Sequence, residues 1–419
     1  MKKICVLGLG YIGLPTSSIL ATHGFEVTGV DINTQVVQIV NRGGLPIEEP
    51  GLKTIVKAAV NSGNLHVQPE PKPSDIFIIS VPTPITGEKK VDLSYIEQAA
   101  RSIVPFLDKG NLVMLESTSP PGTTKNFLAP LLEETGMKAG DDFFVAYCPE
   151  RVLPGRILKE LIENNRVIGG IESASALEAK KLYSSFVEGE IHLTDSTTAE
   201  MVKLMENTYR DVNIALANEL AVICNKIGIN SWDVIKLANL HPRVNIHSPG
   251  PGVGGHCLAV DPWFIVEKFP EETKIISSSR YINDNMPNYV VEKITEILNT
   301  CETQKVTIAG VTYKANIDDT RNSPVLNIIK YLLEKKTHVA AYDPHVKDFE
   351  YELVGLVEAF RNSDLAIIAT GHEEFKYFNP QELGRLMRHR RVFDACNCLD
   401  HKLWQNSGFE VLLLGAGGY

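Results

Sequence analysis

Ile4-Cys5-Val6-Leu7-Gly8-Leu9-Gly10-Tyr11-Ile12-Gly13 carries a short, β-prone apolar run straight into a glycine turn. Leu14 to Thr22 has a helical pattern, and Glu26 to Val30 reads as a second strand that ends on Asp31, 18 positions after Gly13. A strand, a Gly-x-Gly-x-x-Gly turn and a helix in this order place a pyrophosphate on the helix N-terminus. The acidic residue that closes the next strand then takes the ribose hydroxyls. Gly8, Gly10, Tyr11, Ile12, Gly13 and Asp31 are therefore candidate cofactor residues. Asp31-Ile32-Asn33 has no neighbouring arginine, which favours NAD over NADP. A tight turn with no ligand is the plain alternative.

Further strands are expected at Ile76 to Val81, Leu112 to Glu116 and Phe143 to Ala146, each followed by loop or helix. That alternation implies a parallel, doubly wound sheet. From Thr197 to about Lys226 a long helix is expected, with Ala199, Val202, Met205, Leu216, Leu220 and Ile223 at helical spacing. It reads as a spacer and dimer surface. Shorter helices are expected around Trp232 to Ala238 and Ser277 to Leu298. A second alternating region follows: Val306 to Val311, Pro324 to Lys335, His338 to Tyr342, Leu365 to Ala369 and Val392 to Asp394. Its first turn, Gly310 to Lys314, lacks the glycine fingerprint. The expected fold is α/β, two doubly wound Rossmann-like domains joined by a long central helix. The expected boundaries are 1–195, 196–300 and 301–419.

Composition sets the frame. A chain of 419 residues suits two or three domains. Its 44% apolar and 22% charged content is that of a soluble globular protein. A net charge of −10 argues against sequence-independent nucleic-acid binding. No apolar run reaches the roughly 20 residues of a membrane span, and no signal peptide is read at the start. Seven scattered cysteines build no metal site and suit a reduced, cytoplasmic chain.

The chemistry is concentrated in Gly250-Pro-Gly-Val-Gly-Gly-His-Cys-Leu-Ala-Val-Asp-Pro262. Cys257 stands between a glycine run, read as mobile, and a carboxylate four residues on, Asp261. A thiol so placed can serve as a nucleophile; an inert buried cysteine is the alternative. His256 either faces the thiol or turns away. Lys203 and Asn207, four apart, share one helical face and suit an oxyanion, unless the lysine is merely solvated. Glu150 follows a predicted strand, where active-site residues collect, or else caps a helix or sits on the surface. Lys314 and Arg321 flank Asp318-Asp319-Thr320 and suit a phosphate or a uridine ribose, or form a surface ion-pair cluster.

Taken in order, these motifs resemble the UDP-glucose/GDP-mannose dehydrogenase family over essentially the whole chain. They are GLGYIG, Val81-Pro82-Thr83-Pro84, Glu116-Ser117-Thr118, Cys148-Pro149-Glu150-Arg151, Ala199-Glu200-Met201-Val202-Lys203 with Asn207, the Gly-Gly-His-Cys segment, and Lys314 through Arg321. The resemblance implies four-electron oxidation of a nucleotide sugar at C6, alcohol to aldehyde to carboxylate, with NAD. By the same resemblance Cys257 would carry a thiohemiacetal and then a thioester, and Lys203 and Asn207 would stabilise the oxyanion. Asp261 would move a proton through water, Glu150 would assist hydrolysis, and Thr118 would order the water. Cofactor contacts are further implied at Thr83, Thr118 and Arg321. Substrate contacts are implied at Glu150, Arg151, Lys203, Asn207, Arg243, Gly254 and Lys314, with Arg243 reaching across a subunit boundary of a dimer at least.

Two positions depart from the branch acting on UDP-glucose: Val260 where that branch has a lysine, and Pro154 where it often has a glutamate. Gly-Gly-His-Cys-Leu-Ala-Val-Asp-Pro-Trp-Phe instead resembles the branch acting on 2-acetamido sugars. Ala259 and Trp263-Phe264 imply UDP-N-acetyl-D-mannosamine as substrate, ahead of its C2 epimer UDP-N-acetylglucosamine, with the product destined for surface polysaccharide. Two other classes fit part of the pattern. A regulatory nucleotide-sugar binder would hold NAD without turnover, and a two-electron dehydrogenase would need no cysteine.

Overall fold

The computed structural model describes residues 2–47, 49–299, 301 and 304–417. The chain divides into two compact units, residues 1–206 with 263–268, and residues 207–262 with 269–419. The boundary expected at 300 falls on Thr300, outside the described residues.

The first unit is built on eight strands: β1 (Lys3–Leu7), β2 (Glu26–Val30), β3 (Leu65–Gln68), β4 (Ile76–Ile79), β5 (Leu112–Leu115), β6 (Phe144–Tyr147), β7 (Arg166–Gly170) and β8 (Ile191–Asp195), ordered β3-β2-β1-β4-β5-β6-β7-β8. Ile4 and Val6 join one core with Ile76 and Ile78, while Cys5 and Leu7 join another with Phe77 and Ile79. Both faces of these strands are therefore covered, which is why they read as unbroken apolar runs. The pairings are parallel except β6 with β7, so the sheet is not wholly parallel as the alternation of strands and helices led one to expect. Chain order reverses between β1 and β4, and the crevice beyond their carboxyl ends is the place where such sheets bind ligands.

The Gly13–Thr22 helix is buried along nearly its whole length. Its hydroxyls survive burial by bonding back to the helix: Ser17 Oγ to the Gly13 carbonyl at 2.6 Å and Ser18 Oγ to Leu14 at 2.8 Å.

In the second unit β9 (Lys305–Ala309), β10 (His338–Tyr342), β11 (Leu365–Ile368), β12 (Arg391–Asp394) and β13 (Glu410–Leu413) form a fully parallel sheet, β10-β9-β11-β12-β13. It repeats the first unit's opening turn without its fingerprint. Gly8 N–H donates to the Val30 carbonyl at 2.8 Å, and Gly310 N–H to Tyr342 at 2.8 Å. Leu9 N–H donates to Asp31 at 3.0 Å, and Val311 N–H to Asp343 at 2.8 Å.

The central helix runs Ser196–Ile227, and the other helices of the middle segment are Ser231–Ala238, Asp261–Lys268 and Lys274–Leu298. Gly415 and Gly417 pair with Ser231 and Ile229, while Gly418 and Tyr419 lie outside the described residues.

Candidate active site

The glycine turn of the first unit answers to three different demands. Gly8 has φ +90°, and a Cβ there would lie 2.4 Å from the Ser80 carbonyl oxygen. A Cβ on Gly13 would lie 1.8 Å from the Gly8 oxygen, so this position is fixed by the turn's own packing. At Gly10 a Cβ would meet nothing within 4 Å. The protein's own packing does not require a glycine there, which leaves the backbone open to close approach by a ligand. Tyr11 and Ile12 are half-buried beside it. Asp31 Oδ2 accepts the Leu9 N–H and Oδ1 accepts the Asn33 N–H at 2.8 Å. These two bonds aim the carboxylate over the turn, and each oxygen keeps a lone pair for a ribose hydroxyl. The residues fit a dinucleotide.

Asp343, the counterpart in the second unit, has a different neighbour. Buried His372 lies 3.0 Å from its Oδ2. Despite burial, the carboxyl is held below its usual range, with His372 and backbone N–H donors outweighing desolvation. The same backbone turn is thus closed to a ribose in one domain and open in the other.

Beyond β4 and β5 the structure brings Thr83 and Thr118 together: Thr83 Oγ1 donates to the Thr118 carbonyl at 2.7 Å. Ser117 Oγ donates to the Val81 carbonyl at 2.7 Å. Glu200, on the central helix, is fully buried and accepts from Gly122 N–H and from Thr124 N–H (2.7 Å) and Oγ1 (2.6 Å). Burial pushes its carboxyl up, partly offset by those donors. The sequence motif contained Glu200, but nothing in the linear order showed that it anchors the segment after Thr118.

Glu150 neither caps a helix nor lies on the surface. It is buried in an ion pair with Arg166, itself buried with its guanidinium 4.9 Å from the Tyr183 ring centroid. The Tyr183 hydroxyl donates to Glu116, whose carboxyl burial pushes up to about 7, with Tyr183 and Arg166 pulling the other way. Arg166, Tyr183 and Glu116 were not among the expected site residues. Arg166 opens a strand that carries no motif, and its partner is 16 residues away. Arg151 is engaged as well: it donates to Glu206 at 2.6 Å and to the Asn165 carbonyl. Lys203 is half-buried on the central helix.

In the second unit Asn207 and Asp261 meet. Asn207 Nδ2 donates to Asp261 Oδ2 at 2.5 Å, Arg210 donates to Asn207 Oδ1, and both Asn207 and Asp261 are buried. Cys257 is half-buried, and its carbonyl accepts the N–H groups of Val260 (3.0 Å) and Asp261 (2.8 Å). The thiol and Asp261 are thereby held on consecutive turns. His256 is exposed.

Two glycines of the run pack closely against the 313–322 segment, whereas a Cβ on Gly250 would meet nothing within 4 Å. A Cβ on Gly254 would lie 2.6 Å from the Asn322 oxygen and from Tyr313 Cβ; one on Gly255 would lie 2.9 Å from the Tyr313 ring. Gly255 N–H donates to the Arg321 carbonyl at 3.1 Å, and Asn322 Nδ2 returns a bond to the Gly255 carbonyl at 3.2 Å. These glycines admit the 313–322 segment against the cysteine loop. Within that segment the Arg321 side chain bonds both oxygens of Asp319 and, despite burial, holds that carboxyl below its usual range. Lys314 is half-buried, and Arg243 stands exposed on a turn.

Three family profiles match the chain in order, all of the UDP-glucose/GDP-mannose dehydrogenase family: the NAD binding domain over residues 2–187, the central domain over 197–285 and the UDP binding domain over 307–401. A UDP-N-acetyl-D-mannosamine dehydrogenase of Methanococcus maripaludis is 53% identical over 100% of this chain and 98% of its own. The solved UDP-D-ManNAc dehydrogenase of Pyrococcus horikoshii superposes with a TM-score of 0.93 at 44% identity, covering 99% of each chain. A UDP-N-acetyl-mannosamine dehydrogenase from S. aureus superposes at 0.91 with 47% identity, over 99% of this chain and 98% of the other. The open glycine cradle and Asp31 lie within the matched NAD binding domain, and the chain is an NAD-dependent oxidoreductase. By profile, by full-length identity and by fold, it belongs to the UDP-glucose/GDP-mannose dehydrogenase family.

Proposed function

We propose that this protein oxidises C6 of UDP-N-acetyl-D-mannosamine from alcohol to carboxylate, through a thiohemiacetal and a thioester on Cys257. The observation that carries the mechanism is Cys257 fixed one turn before Asp261, with Asn207 bonded to that carboxylate. Full-length relatives bearing the mannosamine name, together with Val260 and Ala259, support the substrate.

Two NAD molecules in succession, each held by the glycine turn and Asp31, would supply the hydride acceptor for the two oxidations. Asp261, through water, relays the C6 hydroxyl proton in the first. The Cys257 thiolate then adds to the aldehyde carbon, forming a C–S bond. Lys203 and the second amide hydrogen of Asn207 stabilise the oxygen anion, which is where preorganised donors contribute most. Loss of hydride from that adduct leaves the thioester. Water ordered near Thr118 and assisted by Glu150 cleaves the C–S bond, giving carboxylate and restoring the thiol. Arg151, Gly254 and Lys314 belong to the substrate pocket in this reading, and Arg321 contacts the cofactor.

The chain is further read as a homo-oligomer, a dimer at least, in the cytoplasm, where its product feeds surface polysaccharide. Tyr209, Leu216, Ile223 and Ile227 lie exposed at spacings of seven, seven and four along the central helix. Such a stripe suits the same helix of a second copy of this chain, and that copy's Arg243 would complete the neighbouring site. Among the described residues no helix is long and apolar enough to cross a membrane.

NADH formation from limiting UDP-N-acetylmannosamine, UDP-N-acetylglucosamine and UDP-glucose tests the reading. Two NADH per mannosamine sugar and little from the others is expected. Two from the glucosamine epimer would overturn the substrate, and none from any sugar would overturn the activity. Cys257→Ala should form no uronate.

A further inference from the structure

The cysteine loop is tethered to a buried polar ladder that the proposed chemistry does not use. Asp211 and Asn218 come from the central helix, and Arg280 and Asn283 from the Lys274–Leu298 helix; each has 0% exposure. Arg280 Nη1 donates to Asp211 Oδ1 at 2.5 Å, and Asn283 Nδ2 donates to the same oxygen at 2.8 Å and to the Asp211 carbonyl at 3.0 Å. Asn283 Oδ1 accepts from Asn218 Nδ2 at 2.9 Å, and Asn218 Oδ1 accepts the Gly250 N–H at 2.9 Å. At the other end Arg280 Nη1 lies 3.5 Å from the carbonyl oxygen of Leu258, the residue after Cys257.

We infer that Arg280, anchored by Asp211, and Asn218, set through Asn283, are positioning residues for the Cys257 loop. A buried ion pair and two buried amide side chains are costly to desolvate, and apolar residues of similar volume would fill the space between two helices more cheaply. What an apolar filling cannot do is bond to main chain at defined points. The ladder ends on main chain on both sides of residues 251–257. That stretch holds three glycines, which give it little conformational preference of its own. Its downstream end is fastened by the Cys257 carbonyl and its middle by the 313–322 segment; Asn218 fastens its start. The helices that carry the ladder are the longest in the chain, so the loop takes its position from rigid elements.

This inference rests on the reading of Cys257 as the nucleophile. It is tested on the full chain with Arg280→Met, Asn218→Ala and Arg280→Lys. The first readout is the rate at which iodoacetamide alkylates Cys257 with no sugar present, followed on the Cys257 peptide by mass spectrometry. The second is the split between kcat and KM with UDP-N-acetylmannosamine. Arg280→Met and Asn218→Ala should change the alkylation rate about tenfold, and a displacement of the sulfur by about 1 Å should lower kcat about 100-fold. KM should stay within about threefold, and Arg280→Lys should recover part of both losses. If Arg280→Met does not fold, Asn218→Ala decides by itself. Folded variants with lowered melting temperature but unchanged alkylation and kcat would overturn the inference, leaving the ladder a stabilising element. Absence of turnover in the wild type would count against the proposed activity, whereas the alkylation rates read the anchoring without it.

Discussion

Asn207 and Asp261 are joined by a 2.5 Å hydrogen bond from Nδ2 to Oδ2, with both side chains buried. The bond ties the central helix to the first residue of the helix that follows the nucleophile. Asn207→Ala would leave a buried carboxylate short of a donor, a loss of about 1–3 kcal/mol. It would also remove an oxyanion donor, worth about 100-fold in kcat. Urea unfolding and steady-state NADH formation measure the two effects separately, and unchanged kcat would remove Asn207 from the chemistry.

Gly10 and Gly13 should respond oppositely to alanine. At Gly13 the new methyl would lie 1.8 Å from the Gly8 oxygen, so the turn must shift, at about 1–3 kcal/mol or more. At Gly10 the space is open. Gly10→Ala should therefore keep its stability within about 0.5 kcal/mol, while the Kd for NAD rises about tenfold or more, roughly 1.4 kcal/mol. Calorimetric NAD titration beside thermal melts decides it.

Breaking the Glu150–Arg166 pair should be asymmetric. Arg166→Met strands a buried carboxylate and empties the space over the Tyr183 ring, at a cost of about 3–5 kcal/mol. Glu150→Gln keeps shape and leaves Arg166 its bond to the Leu161 carbonyl at 3.0 Å, so it should be the milder change in urea unfolding. In rapid-quench experiments Glu150→Gln should accumulate enzyme-bound acyl product, since hydrolysis is the step Glu150 is proposed to assist.

Glu116 gives the protein a pH dependence. Burial raises its carboxyl from 4.5 to about 7, so the folded state holds a proton that the unfolded chain releases. The associated stability is present below the unfolded value and lost as pH rises through the folded one. Stability should thus decline from about pH 4.5 to about pH 7 and level off above that. Glu116→Gln, neutral throughout and still able to accept from Tyr183, should flatten that slope. Parallel slopes for the two proteins would show that the proton sits elsewhere.

The strands buried on both faces were legible because each is an unbroken apolar run, as in Ile76 to Ile79. Strands β3, β7, β8 and β13 were not among those expected. In Leu65–Gln68 only Leu65 and Val67 are buried, and in Ile191–Asp195 no residue is, so neither offers such a run. The antiparallel β6–β7 pair leaves no mark in the order of elements along the chain, because strand direction is decided by how the crossover packs. Arg166 and Glu200 were missed for a similar reason: buried charges announce themselves by partners, and those partners lie 16 and about 76 residues away.

Local order was therefore enough for the strand–glycine turn–helix unit and the long helix. Glycine spacing, helical period and the placing of Asp31 act over a few residues, where backbone sterics and hydrogen-bond geometry dominate. Tertiary structure alone decided what each charged side chain faces. It closed Asp343 with His372 while leaving Asp31 open, sank Glu150 against Arg166, and packed Gly254 and Gly255 onto Tyr313. The physical reason is that an electrostatic or packing partner is selected by distance in space, and the chain brings those partners together only when its sheets and helices have closed around them.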